Sequence, residues 1–115
     1  MDLAKKLQLK ERKLAVLNAP AGFRIAAATV KAAKPGDGVL LFAATKADLH
    51  RLKAPLVGAA RRDDLAWLAY PKAGQLGTDL NRDLLMEELA PDGIEGVRIV
   101  AIDDVWSAAR FRPKP

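Results

Sequence analysis

The chain has 115 residues and contains no cysteine, one serine and one histidine. Without cysteine there is no disulfide, no thiolate nucleophile and no thiolate-held metal, a composition that suits a reducing compartment. The single serine, Ser107, lies in an alternating pattern with no G-x-S-x-G context and no neighbouring base, which argues against an acyl-transfer triad. The single histidine, His50, sits between Leu49 and Arg51 with no H-E-x-x-H neighbour, so it reads as a surface residue rather than a metal ligand. Aromatic residues are also scarce, with two Trp, one Tyr and three Phe, and they form no ribonucleoprotein-type stacking motif. No run of eighteen apolar residues is present, and the Lys-rich N-terminus has no apolar h-region behind it. The expectation is therefore a cytoplasmic protein with no membrane span, no metal site and no catalytic residue identifiable from sequence.

What is present is an apolar half of the composition, enough for one domain over residues 1–115 with a real core. The formal charge is +5, and the excess collects at the two ends, in Lys5, Lys6, Lys10, Arg12 and Lys13 and again in Arg110, Arg112 and Lys114. Such a distribution raises the prospect of a polyanionic partner.

The pattern along the chain predicts a short amphipathic helix over 2–9, with Leu3 and Leu7 on one face and lysines on the other. Lys13 to Leu17 reads as a buried strand, ended by the turn residues of Asn18-Ala-Pro-Ala-Gly22. The stretch 23–34 carries alanine enough for a helix and alternation enough for a strand, and the spacing favours a strand near 27–32. Val39 to Ala44 is a second buried strand. Thr45 then caps a helix that Pro55 kinks or restarts. Leu65 to Tyr70 is a continuous apolar run, as in a strand covered on both faces. Thr78-Asp79 is read as the start of a helix reaching Leu89, followed by a strand from Val97 to Ile102. Asp103-Asp104 then turns the chain into a last strand from Val105 to Phe111. This order predicts an α/β fold with a mainly parallel sheet and a C-terminal antiparallel hairpin.

In open α/β sheets ligands bind beyond the carboxyl ends of the strands. That rule singles out Asn18 after the first strand. It also singles out the loop Tyr70-Pro-Lys72-Ala-Gly74-Gln-Leu-Gly77-Thr78-Asp79, where glycines allow close backbone approach and a helix start offers N–H groups to an anion. No phosphate-binding fingerprint is complete: Gly36-Asp-Gly38 precedes a strand, and Gly74 to Thr78 lacks the G-K-[ST] ending. Tyr70 and Lys72 do not have the one-turn helical spacing of a tyrosine–lysine dehydrogenase pair. The pair Asp103-Asp104 is more simply a turn than an acid/base or cation site.

Three stretches, AVLNAPAGF (15–23), LAWLAYPKAGQLGTDLNRD (65–83) and AIDDVWSAARFRP (101–113), together resemble the bacterial domain of unknown function 3052 family across nearly the whole chain. The resemblance implies a small Rossmann-like domain reminiscent of the later half of a methyltransferase fold, with the terminal hairpin at the sheet edge. It also implies Asn18, Gly22, Tyr70, Lys72, Thr78, Asp79, Arg82, Asp103 and Trp106 as the polar and aromatic motif positions, and it carries no established activity or cofactor. The stretch between Phe23 and Gly38 is too short for a full Rossmann unit, and no glycine-rich cofactor loop is present. The leading expectation is a non-catalytic domain binding a small anionic ligand or a protein partner around Asn18, Lys72, Thr78 and Arg82. The alternatives are a degenerate methyltransferase-like enzyme and a basic module that binds nucleic acid through its two termini.

Overall fold

Three strands form where the sequence is apolar without interruption. In the computed structural model, which describes residues 3–115, they are β1 (Leu14–Leu17), β3 (Gly38–Phe42) and β4 (Ala66–Pro71), and every residue of β3 and β4 is buried. A strand read on both faces must sit between two layers. Its side chains do divide that way: Val39, Leu41, Leu68 and Tyr70 join one core, while Leu40, Phe42, Trp67 and Ala69 join another.

The remaining strands are β2 (Thr29–Val30), β5 (Ile94–Ala101) and β6 (Trp106–Pro113). The sheet order is β2-β1-β3-β4-β6-β5, with β2, β1, β3 and β4 parallel and β6 antiparallel to both β4 and β5. A mainly parallel α/β sheet with an antiparallel hairpin is what the sequence predicts. The hairpin is inserted in reverse, however: β6 pairs with β4, and β5 forms the outer edge. The predicted strand at 27–32 shrinks to the two residues of β2, because the chain from Asn18 to Ala28 is spent on an irregular cover beneath the sheet.

One face carries α2 (Lys46–Leu52), α3 (Ala54–Arg61) and α4 (Arg82–Leu89), which bury Leu49, then Leu56, Val57, Ala59 and Ala60, then Leu85 and Leu89. Thr45 caps α2, its side chain accepting from the Asp48 N–H at 3.1 Å. Pro55 sits in the first turn of α3, where its missing N–H costs nothing, so the predicted break is a restart. A 3-10 turn (Ala90–Asp92) follows α4 and ends on Gly93 at φ 80°, a left-handed conformation that glycine adopts without a Cβ penalty.

The other face is covered by α1 (Leu3–Lys6), by Leu7 and Leu9, and by Phe23, Ile25 and Ala27. The helix predicted over 2–9 is thus shorter; Asp2 lies outside the described residues. After Lys6 the chain leaves helical geometry, with Gln8, Lys10 and Glu11 all at positive φ, so that Leu7 and Leu9 both reach the core. The Trp67 indole N–H donates to the Leu7 carbonyl at 2.9 Å, fixing this segment to the centre of the sheet. No helix among the described residues is long and apolar enough to cross a membrane.

Candidate functional site

Asn18 follows the carboxyl end of β1, and Tyr70 and Lys72 stand at that of β4. Asn18, just beyond β1 and in the left-handed region at φ 58°, donates through Nδ2 to the Phe42 carbonyl at 2.9 Å. It thereby ties the end of β1 to the end of β3, the two strands between which the connections reverse direction. Asparagine is among the few non-glycine residues that take this backbone conformation readily.

Thr78 and Asp79 do not start the helix. Asn81 does, accepting from the Leu84 N–H at 2.9 Å. Thr78 Oγ1 instead donates to the Ala44 carbonyl at 2.6 Å and accepts from the Leu80 N–H at 3.0 Å. Asp79 Oδ1 accepts from the Lys46 N–H at 2.8 Å. The loop from β4 is therefore stitched to the loop after β3, and a carboxylate of this chain occupies the first turn of α2, where an anion would find its donors. The polar atoms of Thr78 and Asp79 thus serve the protein's own backbone.

Tyr70 is 7 % exposed; burial pushes its phenol above the ordinary value, and nearby Arg82 opposes the rise. It remains a neutral phenol at physiological pH. The Lys72 backbone N–H donates to the Val105 carbonyl at 2.7 Å, while its side chain makes no hydrogen bond or ion pair among the described residues. Gly22 lies exposed at φ 83° with open space around it. Asp103 Oδ1 accepts from the Val105 and Trp106 N–H groups, each at 2.8 Å, which makes it the residue that closes the β5–β6 turn. Trp106 is a core ring, 8 % exposed and packed edge-on against Phe42 at 5.0 Å between centroids, and Phe23 also meets Phe42 at 4.8 Å.

The chain matches no family model, no curated protein and no solved structure. The assignment of a site thus rests on its own geometry.

One feature of that geometry escapes the sequence. A cleft of about 630 Å³ opens along β1 and β2, with Val16, Phe23, Ile25 and Val30 among its apolar walls and Arg24 and Lys31 at its rim. Arg24 and Lys31 are exposed and engage no carboxylate among the described residues. The segment 23–31 gives little warning of this, since its alternation of alanine, isoleucine and valine is equally that of a plain edge strand. Arg82 lines a different and smaller cleft, with Met86, Gly96, Val97 and Arg98, between α4 and β5.

His50 Nε2 and Lys46 Nζ each lie 3.3 Å from the Glu88 carboxylate. They pin α2 to α4. Ser107 is carried within β6, facing Tyr70 on β4 and Ala101 on β5 in the ladder. No group of three or more His, Cys, Asp or Glu side chains among the described residues could hold a metal ion.

Proposed function

We propose that this chain is a non-catalytic binding domain that takes a small anionic ligand with an apolar body in the cleft beside the carboxyl ends of β1 and β2. The observation that carries the reading is the pairing of apolar walls, Val16, Phe23, Ile25 and Val30, with two exposed and uncompensated cations, Arg24 and Lys31. Apolar surface with a few placed polar groups is the usual make-up of a small-molecule site. Asn18 supports it from behind by holding the end of β1 against β3. The reversal of connections between β1 and β3 supports a Rossmann-like reading of the fold, and with it a ligand at this end of the sheet. The proposal takes the chain as a relative of the domain of unknown function 3052 group, on its three motifs. It moves the ligand away from Thr78 and Asp79, whose polar atoms serve the protein's own backbone.

The test is a thermal-shift panel at fixed salt with nucleotides, adenosine cofactors and sugar phosphates. A ligand at a hundred times its Kd adds about 2.7 kcal/mol of stability. A shift lost in Arg24→Ala/Lys31→Ala and kept in Lys72→Ala supports the cleft. A shift lost in Lys72→Ala and kept in the double variant returns the ligand to the β4 loop, and no shift with any compound overturns the reading.

A further inference from the structure

The two basic ends of the sequence meet in space, although some hundred residues separate them. Lys6 Nζ donates to the Ala101 carbonyl at the end of β5 at 3.1 Å. Gln8 Oε1 accepts from Arg110 on β6 at 3.2 Å. Within the hairpin Arg98 stands directly opposite Arg110, a cross-strand pairing of like charges that works against folding. Arg112 follows two residues later on the same face of β6. Arg12 lies close enough for Arg110, Asp63 and Asp64 all to feel its charge. It also lines a second cleft, of about 380 Å³, whose rim holds Lys5 and Lys10 together with Glu11.

Little neutralises this face. Arg112 is held bidentate by Asp63, with both contacts at 2.9 Å, and Asp64 is taken by Arg62. Among the described residues Glu95, opposite Arg112 on β5, makes no ion pair, and Arg12 and Arg98 engage no carboxylate. Arg110 makes one hydrogen bond, to Gln8, and its Nε is shut off from solvent without a partner. A guanidinium has five donors in a fixed fork suited to phosphate oxygens, and Gln8 takes only one nitrogen of Arg110. Burial, and then the charges of Arg112, Arg12 and Arg98, push the Arg110 guanidinium below its ordinary value, with Asp63 opposing. An anion placed here would relieve that repulsion.

We propose that Arg12, Arg98, Arg110 and Arg112 form a docking face for the phosphodiester backbone of duplex nucleic acid, read without regard to base sequence. Arg12 before β1, Arg98 on the edge strand β5 and Arg110 on β6 have no carboxylate partner among the described residues, and several such cations match a repeated charge better than a single small anion. The face offers no exposed aromatic ring on which a single strand could stack: Tyr70, Trp67 and Trp106 are all buried. This site is independent of the cleft beside β1 and β2.

The experiment is fluorescence anisotropy of the whole chain with a labelled 20-base-pair duplex of arbitrary sequence, repeated across a salt series. Binding should weaken with salt at a log–log slope of about −2.7 to −3.6, as expected for three or four phosphate contacts. Arg12→Gln/Arg98→Gln, both without ion-pair partners, should lower the magnitude of that slope by about two. Lys34→Gln/Arg51→Gln, which removes the same charge elsewhere, should leave it unchanged. Equal losses in the two double variants, no binding at 50 mM salt, or equally tight binding of polyglutamate at matched ionic strength would each overturn the proposal.

Discussion

The loop after β4 and the arginine face of the β5–β6 hairpin are both rich in polar side chains, and the chain uses them in opposite ways. In the loop, Thr78, Asp79 and Asn81 spend their oxygens on backbone groups of Ala44, Lys46, Leu80 and Leu84. On the arginine face, Arg12 before β1 and Arg98 on β5 engage no carboxylate among the described residues, and the Arg110 Nε has no partner. Polar groups that close the protein's own backbone are scaffolding. Those left open among like charges cost stability and need a reason outside the chain.

The difference can be broken at its largest joint through Trp67. Its side chain is wholly buried and its N–H holds Leu7, so Trp67→Ala should lose about 3 to 5 kcal/mol in urea unfolding. It should also free the segment that carries Lys6, Gln8 and Arg12 to the hairpin. A variant of unchanged stability would mean that the arginine face is not built on the sheet.

The loop gives the next effect. Thr78→Val removes both a donor and an acceptor and should cost about 1 to 2 kcal/mol. Asp79→Ala, which uncaps α2 in another part of the chain, should cost about 0.5 to 2 kcal/mol. Chemical denaturation of each variant and of the pair checks this. Two neutral variants would return both side chains to the list of groups available for a ligand.

The smallest effect is electrostatic and tests Arg112, the neutralised arginine of that face. The hydrogen bond from Arg112 is the main cause that lowers the Asp63 carboxyl below its ordinary 3.8. A depressed carboxyl contributes its stability above the unfolded value and loses it as the pH falls through the folded one. Arg112→Gln should therefore bring the NMR-monitored titration of Asp63 back towards 3.8. The stability difference from the parent should shrink as the pH drops below that value. An unmoved titration would show that the pair is not formed in solution.

How much of this was legible in the sequence follows the distance over which each choice is made. β3 and β4 announce themselves because a strand buried on both faces needs nothing but apolar residues, and VLLF and AWLAY supply them. Thr45 is readable as a cap because its partner, Asp48, is three residues away. The start of α4 is not, since Thr78, Asp79 and Asn81 are equally plausible caps on local spacing. What decides among them is Ala44 and Lys46, more than thirty residues earlier. β2 is short because the preceding residues are drawn beneath the sheet to meet Phe42, a demand that composition does not express. The sequence does reveal two basic ends; that they form one face depends on contacts between Lys6 and Ala101 and between Gln8 and Arg110.

The insertion of β6 between β4 and β5 also constrains the order of assembly. Strands that leave the ribosome in chain order can zip β1, β2, β3 and β4 together as they appear, but β5 has no place in the sheet when it emerges. It must wait for β6 and enter as half of a hairpin, and until then β4 presents an unpaired, wholly apolar edge of the kind that seeds aggregation. A stall between Ala101 and Trp106 is thus the moment of greatest exposure. Once the hairpin docks, β6 covers the β4 edge, and β5, with Glu95 and Arg98 beside the exposed Val97 and Ile99, becomes the outer strand.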